Sequence, residues 1–66
     1  MTTVTAAVYY QRRSTLVDAL AERRAETITG LAHELGWDTT EVAEKLDSAL
    51  VAGLVERTAA GTWRAR

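Results

Sequence analysis

Between Leu35 and Glu41 the chain has to end one helix and begin another, and no other feature of the sequence constrains the fold as strongly. Leu31, Ala32 and Leu35 recur at helical spacing, and Gly36 follows at the position where a left-handed residue closes a helix. Asp38 comes next, with Glu41 three positions on, matching a capping box. In that motif the Asp carboxylate accepts from a backbone N–H near Glu41, and the Glu reaches back to the cap residue. A stop, a turn and a new cap in such close succession predict two helices meeting at a sharp corner, the turn of a helix-turn-helix.

The flanking segments supply the rest of a small domain. From Ser14 or earlier to about Glu26, Leu16, Val17 and Leu20 line one side of a helix and Asp18 and Glu22 the other. Thr15 with Asp18 offers a capping signal, and Arg23 and Arg24 place positive charge in the last turn, where the helix dipole favours it. Three β-branched residues, Thr27-Ile28-Thr29, then break the rhythm and predict a very short strand or an extended connector ending in a Thr cap, with Ile28 inward. The second helix is expected over Gly30 to Leu35 and the third from Thr39 to about Ala52. In the third, a step of 100° per residue puts Val42, Leu46, Ala49 and Leu50 inside, and Glu41, Glu44, Lys45, Ser48 and Val51 outside. Gly53 ends that helix. Leu54 to Arg57 reads as a strand, Ala59-Ala60-Gly61 as a turn and Thr62 to Ala65 as the returning strand.

The first ten residues support two patterns, since Val4, Ala6, Val8 and Tyr10 alternate as in a strand, whereas a helix reaching back this far puts Tyr9 on one stripe with Leu16 and Leu20. Residues 1–13 are therefore an N-terminal arm or a helix extension, and residues 14–66 the folded domain.

With 66 residues and no cysteine, the chain has room for one domain and neither a disulfide framework nor a cysteine-ligated zinc to brace it. Packing, a partner or self-association has to hold it together. Apolar residues at 47% and charged residues at 26% suit a globular protein. The net charge of −1 gives no general attraction to phosphate. No apolar run approaches the roughly 20 residues of a membrane span, and a soluble cytoplasmic protein is the expectation.

Leu31-Ala32, Leu35-Gly36, Val42, Leu46, Leu50 and above all Ala52-Gly53-Leu54-Val55-Glu56-Arg57 resemble the winged-helix repressors of the MarR type over about the last forty residues. The resemblance implies an α+β fold, a three-helix winged helix-turn-helix with a small C-terminal β-hairpin wing. It also implies binding of double-stranded DNA in transcriptional control, with a homodimer as the assembly. Carried over by position, the DNA-binding residues are Thr39, Thr40, Glu44, Lys45 and Ser48 on the third helix and Arg57, Arg64 and Arg66 on the wing. Arg12 and Arg13 add contacts if the N-terminal segment lies nearby.

Charge separates two functional readings. From Asp38 to Glu56 five acids (Asp38, Glu41, Glu44, Asp47, Glu56) face one base, Lys45, whereas Arg57 to Arg66 holds three bases and no acid. Several carboxylates near phosphates raise the cost of approach, although one Glu in a groove can accept from cytosine. The alternative is therefore a protein-interaction module that docks a basic protein through Glu41, Glu44, Asp47, Val51 and Tyr10. Catalysis is not expected, because no nucleophile with a base, phosphate-cradling glycine loop or paired carboxylates stand out. The sole histidine, His33, reads as a surface residue, and no cofactor, metal or small-molecule substrate is indicated.

Overall fold

Among the described side chains nine apolar ones make the core, and every element contributes to it: Leu16 and Leu20, Leu31 and Ala32, Val42, Leu46 and Ala49, then Val55 and Trp63. The computed structural model describes residues 2–66. Helices α1 (Thr2–Ala21), α2 (Ile28–Leu35) and α3 (Thr39–Val51) precede strands β1 (Val55–Arg57) and β2 (Trp63–Ala65). The strands pair antiparallel, with Val55 opposite Ala65, Glu56 opposite Arg64 and Arg57 opposite Trp63. Leu54 and Thr62 flank the strands instead of opening them. This is an α+β fold of three helices and a small hairpin, consistent with a winged helix. Val17, Ile28, Leu35 and Trp37 pack around the core without being fully buried.

Helix α1 departs most from the sequence expectation. Residues 2–13 are helical and continuous with the rest of α1, which is the helix extension, one of the two readings of this segment. Thr15, half of the expected capping signal, lies inside the helix and donates its hydroxyl proton to the Gln11 carbonyl at 2.9 Å. The helix ends at Ala21 rather than near Glu26. Glu26 is held extended by the hairpin: its N–H donates to the Trp63 carbonyl and the Trp63 N–H to its own, both at 2.8 Å. Arg23 thus sits in the turn after α1, where its guanidinium covers the Ala19 carbonyl at 2.7 Å.

The β-branched triplet begins α2 instead of forming a strand. Thr27 is the N-cap in extended conformation, its Oγ1 accepting from the Gly30 N–H at 3.0 Å, so the cap lies two residues before the expected one. Ile28 starts the helix and is half-buried. Thr27→Ala removes that acceptor and is expected to lower stability by about 1 kcal/mol, read as a reduced urea midpoint at unchanged slope.

At the corner, Gly36 has φ 68° and donates its N–H to the Ala32 carbonyl, closing α2 in the left-handed conformation that glycine adopts without strain. Asp38 occupies the N-cap of α3 but makes no side-chain cap bond there. The expected capping box is not formed, because the Glu41 carboxylate is drawn to Arg12 at 3.0 Å.

Candidate functional site

Helix α3 is packed from two sides, and this decides which of its residues are available. Val42, Lys45, Leu46 and Ala49 are its buried positions, whereas Leu50, expected inside, is 43% exposed. The inner face is therefore rotated toward Lys45, which is only 5% exposed although a simple helical wheel puts it outside. The cause is the first half of α1, which lies along this flank of α3.

Three α1 side chains make the contact. Tyr9 presents its ring face 4.1 Å from the Lys45 ammonium. Arg12 pairs with Glu41 and also stands over the Trp37 ring at 5.1 Å. Arg13 donates to the Ser48 hydroxyl at 3.2 Å and lies 4.7 Å from the Tyr10 ring centroid. Glu41, Lys45 and Ser48 are spaced four and three apart, one stripe of a helix, and α1 engages all three. No side chain from residue 7 to residue 15 is buried, and this stretch of α1 meets α3 through polar and cation–π contacts, each worth about 1 kcal/mol or less at exposed sites.

The opposite side of α3 is open. Thr40, Glu44, Asp47 and Val51 follow at i, i+4, i+7 and i+11 and are all exposed, Val51 at 90%. Thr39 is exposed beside them at the helix start. Glu44 holds the Lys45 ammonium at 3.1 Å, and Asp47 makes no ion pair among the described residues. The open stripe thus carries two carboxylates and no cation of its own. Between it and α1 runs an open groove of about 490 Å³ lined by Tyr9, Arg13, Glu44, Asp47, Ser48, Val51 and Ala52.

The wing carries the other expected contacts. Arg64 directs Nε and Nη2 at one carboxylate oxygen of Glu56, directly across the ladder, at 2.9 and 2.7 Å. Arg66 is 3.8 Å from the other oxygen. Arg57 lies over the Trp63 ring at 5.4 Å, and no carboxylate pairs with it among the described residues. All three arginines are exposed on the hairpin. Glu56 dampens two of them, an interaction that the sequence distance of eight residues hides until the register is known.

Of the expected DNA-facing set, then, Thr39, Thr40, Glu44, Arg57, Arg64 and Arg66 are accessible, Ser48 is half-buried under Arg13, and Lys45 is covered. From the set assigned to a protein partner, Glu44, Asp47 and Val51 share the open stripe. Glu41 is tied to Arg12, and Tyr10 stands over Arg13 outside the lining of the groove. Sequence reasoning missed Tyr9, Arg12 and Arg13 as partners of α3; the signal for them is the stripe Tyr9–Leu16–Leu20, which implies a helix reaching back. His33 is exposed, and among the described residues no group of three or more acidic or histidine side chains is placed to hold a metal. Nor is any described helix long and apolar enough to cross a membrane.

No curated protein and no solved structure matches the chain. A family model, HVO_A0114, matches residues 8–65. The match reaches all five elements and includes the Tyr9, Arg12 and Arg13 turns of α1 that lie on α3. Because it spans most of its length, the chain belongs to the HVO_A0114 family.

Proposed function

We propose that this domain is a winged-helix DNA-binding module of the MarR-like type, a cytoplasmic transcriptional regulator that acts as a homodimer and performs no catalysis. The observation that carries the reading is the open stripe of α3: a helix held by Val42, Leu46 and Ala49 behind the tight Gly36 corner, with about three turns of its outer face untouched by its own core. A helix so presented suits the major groove of a duplex, and a hairpin with exposed arginines suits the adjacent backbone. Thr39, Thr40 and Glu44 are the base-facing candidates, with Arg57, Arg64 and Arg66 on phosphate. Only a few phosphates are within reach of one copy, so binding is expected to be weak per monomer and steeply salt-dependent, which favours a dimer on paired half-sites.

The test is fluorescence anisotropy with a mixed-sequence duplex over a salt series. Arg64→Ala is expected to weaken binding and to lower the slope of log affinity against log salt by about one. Absence of affinity for any duplex at low salt ends this reading.

One observation favours a second reading, a docking module for a basic protein. Glu44 and Asp47 stand on the open stripe beside the 90%-exposed Val51, a carboxylate-and-apolar surface suited to a basic partner.

A further inference from the structure

We infer, building on the DNA reading, that the contact of the first half of α1 with α3 occupies a latent phosphate-binding set, Arg12 and Arg13 on α1 and Lys45 on α3, that becomes available to a nucleic-acid backbone when this half-helix lifts from α3. In the closed arrangement each of the three bases is occupied within the chain: Arg12 by Glu41 at 3.0 Å, Arg13 by the Ser48 hydroxyl at 3.2 Å, and Lys45 by Glu44 at 3.1 Å under the Tyr9 ring. This is why a helix of reading geometry shows the solvent carboxylates and no cation of its own. Opening frees the Arg12 and Arg13 guanidinium groups on the lifted half-helix and uncovers the Lys45 ammonium on α3.

Two features make the cover separable from the core. From residue 7 onward the buried side chains of α1 are Leu16 and Leu20, so lifting the turns that carry Tyr9 to Arg13 uncovers neither of them. The cover also leaves one group unsatisfied: Arg13 Nε is buried with no hydrogen-bond partner. A buried donor without an acceptor opposes the closed state, and a phosphate oxygen would satisfy it. Segments held by few apolar contacts are the ones that open first. A phosphate backbone competes for the same guanidinium and ammonium groups and selects the open arrangement by its differential affinity for it.

Tyr9 is the residue on which to test this, because altering it changes the lid without changing charge. Tyr9→Ala is expected to raise affinity for a mixed-sequence duplex about two- to fivefold, and Tyr9→Trp, the stronger cation–π partner, to lower it. Lys45 is the only lysine, so its acylation by an amine reagent, mapped by mass spectrometry, reports the cover independently of DNA. It is expected to quicken in Tyr9→Ala and slow in Tyr9→Trp. If Lys45 acylation responds in this way while duplex affinity stays unchanged or moves oppositely, the cover is not inhibitory and the inference falls, leaving the DNA reading in place. If no form binds duplex at low salt, the DNA reading fails and the inference with it. Should Tyr9→Ala lose its helical circular dichroism, the sign of the Tyr9→Trp effect decides.

Discussion

Leu46→Ala is expected to leave the domain largely unfolded at room temperature. Leu46 has no exposed surface and belongs to the one core that α1, α2, α3 and both strands share. Truncating a fully buried leucine costs about 2–5 kcal/mol, transfer and cavity terms together. A chain of 66 residues without disulfide or metal has a total stability of the same order. Loss of far-UV helical signal, or a urea midpoint too low to define, is the expected reading. Leu50→Ala is the control: this side chain is 43% exposed, and its truncation is expected to cost much less. The contrast between two leucines four residues apart measures the rotation of α3 directly. Equal losses would place Leu50 in the core, as the simple helical wheel has it, and return Lys45 to the surface.

The double substitution Glu44→Lys with Asp47→Lys is expected to have the largest functional effect. Both residues lie on the open stripe, and exchanging two carboxylates for two ammonium groups changes its charge by four. For a DNA-binding domain, affinity for duplex at low salt is expected to rise about ten- to hundredfold, with the salt slope steeper by about two as two further phosphate contacts form. The fold is expected to tolerate the change, since neither side chain contributes to the core. For a module that docks a basic protein, the same variant is expected to lose its partner. Comparing the wild-type chain with this one variant therefore separates the two readings, by the sign of the DNA effect and by whether a basic partner is still retained.

What is legible in the sequence, and what is hidden, follows from the range of the interactions involved. The Gly36 corner is readable because a left-handed residue and a new helix start are local signals, and the hairpin because Gly53 precedes the first short strand and Gly61 stands in the turn between the two. The C-terminal limit of α1 is not, because it is set at long range: the helix ends where the chain must turn to pair Glu26 with Trp63, thirty-seven residues away, and nothing near Glu26 announces it. The inner face of α3 shows the same effect. A wheel centred on Val42, Leu46 and Leu50 assumes one wall, whereas α1 supplies a second wall on the Lys45 side and leaves Leu50 partly out. The capping box fails for a related reason, since Glu41 pairs with Arg12 instead of serving the cap. Local signals hold where no distant partner competes, as at Gly36. They are displaced where one does, as at Glu41.

The wing gives the converse case. By sequence Arg57, Arg64 and Arg66 offer three free cations, but antiparallel register sets Glu56 opposite Arg64 and within reach of Arg66. The counter-ion on the partner strand reduces the positive charge that the segment offers, leaving Arg57 as the wing arginine without a carboxylate among the described residues.

If α3, anchored by Val42, Leu46 and Ala49 and shielded on one flank by α1, offers its Thr40–Glu44–Asp47–Val51 stripe to a duplex, amide chemical-shift mapping with a mixed-sequence duplex at low salt shows it most directly. The expected result is perturbation concentrated at Thr39, Thr40, Glu44 and Asp47, at Arg57, Arg64 and Arg66, and at Tyr9 to Arg13 as the cover moves. Perturbation confined to the outer face of α1 or to α2, with the α3 stripe silent, would contradict it.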